Sequence, residues 1–391
     1  MRSSRNHLFF PALVLAALAC FARVAGAVPE PRAAQLMPRA AQSLLIDIAR
    51  AGERLVAVGE RGHVLYSDDS GQRWIQAPVP VSVMLTAVWF LDAQHGWAVG
   101  HDGMIIATDD GGASWRLQRD GLAEQQARDR AALEQARRDL VAREGADADA
   151  AALEEARLAL AEAEDRASQP AYAPPLMDVW FADADNGIAV GAYGSYLRTS
   201  DGGRSWTHDA ARIDNPDELH YYAIASGGAG RLLIVGESGS MFRSRDGGAS
   251  WEALSHAYEG TLFGALAFTP GDVVCAFGLQ GTVLVSPDFG DTWRRLDSPT
   301  ESVLAGGTIA QGGEALIVGN VGTMLAARLA TGELQDRSRA TLRDNLAGVI
   351  QAPDGSLVVI GQGGAVRVPA AQAADASVVA GEAGAAAAGG G

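Results

Sequence analysis

Short hydrophobic runs separated by polar turns recur along the chain in a constant phase. In one copy the runs are Leu85–Phe90, Gly96–Gly100, Met104–Thr108 and Ser114–Gln118. Runs this short, rich in Val, Ile, Trp and Phe and bounded by Asp, Gly and His, predict β-strands joined by tight turns. A Gly-x-x-Gly turn lies between the second and third run of each copy, and the seven turns begin at Gly59, Gly100, Gly191, Gly236, Gly278, Gly319 and Gly361.

The spacing of these turns predicts the fold. Successive turns lie 41, 91, 45, 42, 41 and 42 residues apart, so the period is nearly constant except for one long interval. Four strands in each period are typical of a β-propeller blade, and radial repetition protects the sheet edges. We therefore expect an all-β fold, a seven-bladed β-propeller over residues 44–368, with an inserted antiparallel α-helical hairpin in the long interval.

A second motif, Ser/Thr-x-Asp-x-Gly-x-x-Trp, follows the third run in the first five copies, and it is the Asp box, or BNR repeat. The Asp is expected to bind backbone N–H groups of its own turn, the Gly to supply a positive φ, and the Trp to pack between blades. Turn geometry thus explains these residues without catalysis or Ca²⁺ binding. The structural residues of the boxes are Asp69, Asp110, Asp201, Asp246 and Asp288, with Trp74, Trp115, Trp206, Trp251 and Trp293.

The long interval, residues 119–169, has the composition of a helical hairpin. Ala, Glu, Arg and Leu predominate, and we expect helices over residues 122–144 and 150–167, with the turn at Gly145-Ala146-Asp147. Folding there would pair Leu133 with Leu160 and Leu140 with Leu153, as in a thin coiled coil. An arm of roughly 30 Å should rise on the side of the Gly-x-x-Gly turns. It is either a solvated decoration or a docking arm for a partner.

The N-terminal segment indicates export, and the two ends of the chain bear on how the propeller closes. Residues 1–27 carry two early arginines, an apolar run and Ala25-Gly26-Ala27, which are typical of a signal peptide cleaved after Ala27. We therefore expect a periplasmic or secreted protein that does not itself span the membrane; a lipoprotein attached through Cys20 is the alternative, although Ala17-Leu18-Ala19 fits that motif poorly. The last repeat supplies only three strands, so the N-terminal segment, residues 28–43, is expected to close the propeller with an outer strand from Val28–Gln42. Residues 369–391 are Ala/Gly-rich, which predicts disorder.

Composition narrows the function classes. Removal of residues 1–27 takes away three arginines and no acids, so the net charge falls from −16 to −19. Such a surface is not expected to attract nucleic acid or anionic membranes. The chain has no Lys, which excludes Schiff-base chemistry on lysine. Cys275 is the one cysteine left after cleavage, and we expect it to be a buried strand residue.

We find no catalytic set and expect no cofactor. The histidines show no metal-ligand spacing, and no nucleophile elbow or sialidase-type arginine motif appears. The pair of residues inside each Gly-x-x-Gly turn varies while the frame is constant, and such variation is typical of a recognition face. The connections 207–220 and 252–260 should share that face. The candidate partner-binding residues are Glu60, Arg61, His101, Asp102, Tyr193, Glu237, Gln280 and Asn320.

The repeats, with Val-Gly-x-x-Gly followed by Ser/Thr-x-Asp-Gly-Gly-x-Ser-Trp, resemble the photosystem II stability and assembly factor-like propellers. The resemblance covers Leu44 to Val368 without the hairpin. It implies a non-enzymatic exported scaffold that binds a subunit of a membrane protein complex during assembly. Asp boxes also occur in sialidases, so a glycan-binding or sialidase-like propeller is the alternative.

Overall fold

The computed structural model describes residues 32–144, 149–268, 271–328, 331–339 and 341–370. The predicted signal peptide, the predicted hairpin turn at 145–147 and residues 371–391 of the predicted tail lie outside these residues. Among the described residues, no helix combines the length and hydropathy needed to cross a membrane. The described residues divide into two compact units, one within residues 122–172 and the other within residues 32–121 and 173–370. The second unit is the propeller.

The predicted seven blades are confirmed, six as four-stranded and one as a three-stranded antiparallel sheet. Blades 1 to 3 contain β1 (Leu45–Ala51), β2 (Arg54–Gly59), β3 (Val64–Ser67), β4 (Ile75–Gln76), β5 (Leu85–Phe90), β6 (Gly96–Gly100), β7 (Ile105–Thr108), β8 (Arg116–Arg119), β9 (Leu176–Phe181), β10 (Gly187–Gly191), β11 (Tyr196–Thr199) and β12 (Thr207–His208).

Blades 4 to 7 continue the same order without a further insertion. They contain β13 (Tyr221–Gly228), β14 (Arg231–Gly236), β15 (Met241–Ser244), β16 (Glu252–Ala253), β17 (Leu262–Ala267), β18 (Val274–Gly278), β19 (Val283–Ser286), β20 (Arg294–Arg295), β21 (Leu304–Ile309), β22 (Ala315–Gly319), β23 (Met324–Arg328), β24 (Glu333–Asp336), β25 (Leu346–Gln351), β26 (Leu357–Gly361) and β27 (Gly364–Val368).

The second strand of each blade forms the centre of the core. In β6, for example, every residue of Gly96–Gly100 is buried, because neighbouring blades cover both faces of the strand. A close aromatic contact joins blades 2 and 3, where Trp97 stacks on Phe181 with ring centroids 3.6 Å apart. Cys275 in β18 is fully buried, as expected, and burial raises the pKa of its thiol to about 12.

The Asp boxes have the expected turn geometry. In the second box, Asp110 Oδ1 accepts hydrogen bonds from the Thr108 hydroxyl at 2.8 Å and the Ser114 N–H at 2.9 Å. The N–H of Gly112, whose φ is 84°, donates to the same hydroxyl at 3.0 Å. The other four boxes repeat these three bonds, and the carboxylates they hold are Asp69, Asp201, Asp246 and Asp288.

Each box tryptophan lies in a hydrophobic cluster that includes residues of the preceding blade. Trp115 is buried among side chains of blades 1 and 2, and Trp74 packs against a cluster formed by blades 1 and 7 that includes Val358 and Ile360. Trp206, Trp251 and Trp293 are partly buried at the next three blade boundaries. The boxes therefore stabilise both their own turn and the contact between blades.

The predicted closing strand is not found in residues 32–42, and the last blade has three strands. Residues 40–42 instead form one 3₁₀ turn. The preceding residues bind blade 1: the N–H of Ala34 donates to the Val79 carbonyl at 2.9 Å, and the N–H of Met37 donates to Gln76 Oε1 at 2.7 Å. The first part of this segment is thus bonded to blade 1, and Pro38 removes a backbone donor from it. Ala41 and Gln42 lie against Gly364 of β27 in blade 7, but they form no strand there. Residues 28–31 lie outside the described part of the chain.

The helical unit contains α1 (Gly121–Arg143, whose first residue belongs to the propeller unit) and α2 (Ala150–Ser168), close to the predicted bounds. Ala156 and Ala163 are buried between the helices, and Leu133, Leu140, Leu153 and Leu160 are half-buried on the same stripe. Arg137 and Glu164 form an ion pair between the helices at 3.5 Å. The two helices therefore pack through small residues, as the sequence indicates.

Candidate binding site at the mouth of the central channel

The Gly-x-x-Gly turns lie on one face of the propeller, which we call the tip face; the Asp boxes lie on the opposite face, the box face. In every blade the first residue inside the turn donates its N–H to the carbonyl that immediately precedes the inner strand, at 2.9 to 3.0 Å. In blade 1 this bond joins Glu60 to Leu44. The seven turns are therefore fastened to the inner strands, which surround the central channel.

The structure places all eight predicted tip residues on this face. Arg61, His101, Tyr193 and Gln280 are exposed, whereas Glu60, Asp102, Glu237 and Asn320 are half-buried. The second residue of six turns has a positive φ, between 53° and 59°, so its side chain is held in a fixed direction by the backbone. Their role in binding a partner remains a prediction.

Each inner strand begins with a β-bulge that the sequence analysis did not identify. The register against the second strand shifts by one residue in all seven blades, for example between Leu45 and Asp47 in β1. Bulges re-aim side chains, and here the extra residues line the channel. We call them the bulge ring, which consists of Ile46, Thr86, Met177, Tyr222, Phe263, Ala305 and Ala347.

The bulge ring surrounds a cavity of about 410 Å³ at the tip-face end of the channel. Its walls are unequal, because blades 4 and 5 contribute the rings of Tyr222 and Phe263, whereas blades 6 and 7 contribute Ala305 and Ala347. At Gly306 the backbone of blade 7 comes so close that a Cβ would lie 2.1 Å from the Ala347 carbonyl oxygen. Position 306 therefore requires glycine. The channel is asymmetric because its large aromatic side chains lie on blades 4 and 5, whereas blades 6 and 7 carry only alanine in the bulge ring.

Two carboxylates, Asp47 and Asp178, lie directly below the bulge ring on blades 1 and 3. Asp47 Oδ2 accepts the N–H of Val88 in the next inner strand at 2.8 Å, and Asp178 Oδ2 accepts the N–H of Ile224 at 2.7 Å. Each carboxylate thus satisfies a strand-edge donor of the following blade. Five other blades have Ala or Gly at this position.

Burial changes the acidity of both groups. It raises the pKa of Asp47 to about 6, against the effect of the two backbone N–H groups that the carboxylate accepts. It raises the pKa of Asp178 to about 7, opposed by the N–H of Ile224 and assisted by the negative charge of Asp47. The two carboxylates therefore interact electrostatically across the channel. When they are ionised, both carboxylates are poorly solvated, because they are buried in the channel.

Aromatic side chains form a continuous path from the tip face into the channel. Tyr193, 53% exposed at the tip of blade 3, meets His220 edge-on with ring centroids 4.7 Å apart. His220 lies 6.3 Å from Tyr222, and Tyr222 lies 5.1 Å from Phe263. The N–H of His220 donates to the Glu237 carboxylate at 3.2 Å, which ties this path to the tip of blade 4. Of the predicted tip residues, Tyr193 and Glu237 are thus brought together around His220.

The geometry suits non-covalent binding. Within the described part of the chain, no group of three or more His, Cys, Asp and Glu side chains could hold a metal ion. What the mouth offers is a set of apolar and aromatic surfaces with two carboxylates beneath them. Such a combination can hold an extended peptide or a side chain that is apolar with a charged end.

Fold and site together define a class, the seven-bladed Asp-box propeller with a cavity at its tip face. The sequence model of the family described as "Photosynthesis system II assembly factor YCF48" matches residues 66–134 and 167–265, which include four Asp boxes. The resemblance to the photosystem II assembly factor-like propellers is therefore confirmed. A comparison with curated proteins gave no match.

Solved structures show the same fold at low identity. The structure described as "YCF48 bound to D1 peptide" has a TM-score of 0.58 and 17% identity, covering 88% of this chain and 97% of that one. YCF48 from Cyanidioschyzon merolae has a TM-score of 0.55 and 13% identity, covering 86% and 97%. The extracellular domain of the putative one-component system BT4673 from B. thetaiotaomicron has a TM-score of 0.53 and 13% identity, covering 83% and 38%.

Proposed function

We propose that this chain is an exported, non-enzymatic propeller that binds a segment of a membrane protein on its tip face and so supports the assembly or stability of a membrane complex. The observation that carries the proposal is the bulge ring, where one backbone feature repeated in all seven blades presents side chains of six different types around one cavity. A constant frame with variable side chains is how a propeller makes a specific binding surface.

Two further facts support this function. The family match covers blades on both sides of the hairpin, and a structurally similar propeller is described as bound to a peptide of D1. We propose a partner of the same general kind, a subunit of a membrane complex. The exported location rests on the signal peptide predicted in residues 1–27, and the partner segment would then lie on the exported side of the membrane.

A pull-down from detergent-solubilised membranes tests whether the tip face binds the membrane-protein partner. Tyr193 and Ile75 are both 53% exposed, the first on the tip face and the second on the outer strand of blade 1. Tyr193→Ser is expected to reduce recovery of the partner severalfold, because it removes the outer ring of the aromatic path, whereas Ile75→Ser should leave it unchanged. Equal losses, or no loss from either variant, would contradict the assignment of the tip face.

The hairpin can be tested separately because its ends meet. A Cβ on Gly121 would lie 3.0 Å from the Cβ of Ala173, so a short linker can replace residues 122–172 without opening blade 2 or 3. As a docking arm, the hairpin should be required for the pull-down; as a solvated decoration, it should be dispensable. Recovery of the partner by the excised propeller would reject the docking role and leave the tip-face role intact.

The glycan-binding alternative has one observation in its favour. Tyr222 and Phe263 beside two carboxylates are residue types that also bind sugars. Purified protein applied to an oligosaccharide panel that includes sialosides should show no binding and no hydrolysis under the scaffold proposal. Affinity that is lost on Tyr222→Ser would instead favour the glycan function.

A further inference from the structure

The channel mouth has negative charge without a cation of its own. Asp47 and Asp178 line the cavity, and no Arg or His is among its lining residues in the described part of the chain. The chain contains no Lys at all. Burial and mutual repulsion disfavour the ionised carboxylates, so a positive charge placed between them would relieve both costs. Charge complementarity therefore points to a cationic occupant.

Both carboxylates have hydrogen-bond acceptor sites left for such a cationic group. Each oxygen of Asp47 accepts one backbone N–H, from Ile48 at 2.8 Å and from Val88 at 2.8 Å. Asp178 is held in the same way by Val179 at 2.7 Å and Ile224 at 2.7 Å. An ionised carboxylate has about four lone-pair sites, so each group has two left for a ligand. The backbone bonds fix both groups in place before a ligand arrives.

The bulge-ring residues of blades 4 and 5 suit the apolar stem of an arginine whose guanidinium lies near the carboxylates. Tyr222 and Phe263 stand at 70° to one another with centroids 5.1 Å apart, so they present differently directed faces to the cavity. A guanidinium group stacks on aromatic rings and binds carboxylates in a bidentate manner, whereas an ammonium group does neither as well. Ala305 and Ala347 leave room on the remaining side.

We propose that the channel mouth binds one arginine side chain of an extended protein segment, with the guanidinium between Asp47 and Asp178 and the stem against Tyr222 and Phe263. The inference deepens the proposed function, on which it rests, because it names the chemistry that the tip face recognises. The aromatic path through His220 to Tyr193 would then take the residues that flank the arginine.

A pair of isosteric peptides tests the proposal on the purified full-length mature protein. The probes are Ac-Leu-Arg-Leu-NH₂ and Ac-Leu-Cit-Leu-NH₂, in which citrulline keeps the shape of arginine without its charge. At pH 8, isothermal titration calorimetry should show that the arginine peptide binds about tenfold or more tightly than the citrulline peptide. Equal affinities, or no heat from either peptide at millimolar concentration, would overturn the proposal.

Two channel variants test whether the preference for the arginine peptide arises from the channel carboxylates. Asp47→Asn/Asp178→Asn should reduce the arginine-to-citrulline ratio to about one, while Asp109→Asn, which removes an exposed carboxylate on the opposite box face, should preserve it. If the double variant does not fold, as judged by circular dichroism, Ala305→Arg replaces it, because a tethered guanidinium in the bulge ring should exclude the peptide. A ratio that survives either channel variant would overturn the proposal.

The experiments distinguish a failure of the arginine-site proposal from a failure of the proposed scaffold function. The peptide titration uses no membrane partner, and the pull-down uses no peptide. Loss of charge selectivity in the titration, together with a partner captured by the tip face, would reject the arginine site alone. A selective titration without any captured partner would leave the arginine site standing and reject the scaffold role.

Discussion

At alkaline pH, the Asp178→Asn variant should have a higher free energy of unfolding than the wild type. This difference between variant and wild type should shrink as the pH is lowered. The carboxyl group of Asp178 has its pKa raised from 3.8 to about 7 by burial, so the folded protein holds this proton while the unfolded chain has already released it. Between pH 4 and 7 the folded state therefore binds more protons than the unfolded state. Its stability must fall as the pH rises through that window.

The magnitude follows from the shift. From pH 5 to pH 8 the folded group passes through its pKa, and linkage allows a loss of about 3 kcal/mol. Asp178 is half-buried beside the channel, so we expect about 1 to 3 kcal/mol. Asn keeps one acceptor oxygen but leaves the N–H of Val179 or Ile224 without its partner, at a cost of about 1 kcal/mol that does not depend on pH. The change with pH is therefore the quantity to measure.

Urea unfolding of both proteins at pH 5 and pH 8 gives that quantity. The difference in unfolding free energy, variant minus wild type, should rise by about 1 to 3 kcal/mol between the two pH values. Asp217→Asn, which removes an exposed carboxylate, should show no such rise. Asp47 and Tyr222 are the other titratable groups that line the cavity, and both remain in the variant. A difference that is independent of pH would refute the account of the channel carboxylates.

Three further outcomes follow from the core and the boxes. Asp110→Ala should lower the unfolding free energy by about 1 to 2 kcal/mol in urea, because it removes an acceptor from the Ser114 N–H and hydroxyl; a loss below about 0.5 kcal/mol would argue against the turn role. Cys275 should react with a thiol reagent only at the rate of unfolding, and labelling of the folded protein would contradict its burial. Phe181→Leu should cost about 1 to 3 kcal/mol in thermal unfolding and alter the near-ultraviolet signal of Trp97, and an unchanged signal would contradict the stacking.

The sequence predicted the blades because their determinants are local. Short β-branched runs, a Gly-x-x-Gly turn and an Asp box each act within a few residues, so repetition alone indicates the strand order. The structure shows this at Asp110, whose partners Thr108 and Ser114 lie within four residues of it. The hairpin was predictable for the same reason, because its helix ends follow from composition.

The closing strand was wrongly predicted within residues 32–42 because it depended on a competition between distant partners. Counting strands showed that blade 7 lacked one. It did not show that Ala34 and Met37 would bond to blade 1 while Ala41 packs beside β27 of blade 7 without forming a strand. Local pattern carries no information on which of two open edges a terminal segment prefers. Such a choice depends on the geometry of the closed ring.

The channel mouth was missed although part of its signal is in the sequence. Asp47 and Asp178 occupy a position where the other five repeats have Ala or Gly, so an alignment of the repeats would have singled them out. The bulge that turns Tyr222 and Phe263 inward is a matter of strand register, which the sequence pattern does not specify. The contact of Tyr193 with His220 joins two blades and depends on the angle between them.

Site-specific photo-crosslinking in intact cells tests the central claim, that a membrane protein binds the tip face, most directly. A photoreactive phenylalanine analogue replaces either Tyr193 or the equally exposed Ile75, and the adducts are identified by mass spectrometry. The account predicts adducts with one membrane-complex subunit from position 193 and none with that subunit from position 75. The same adducts from both positions, or membrane-protein adducts from position 75 alone, would contradict it.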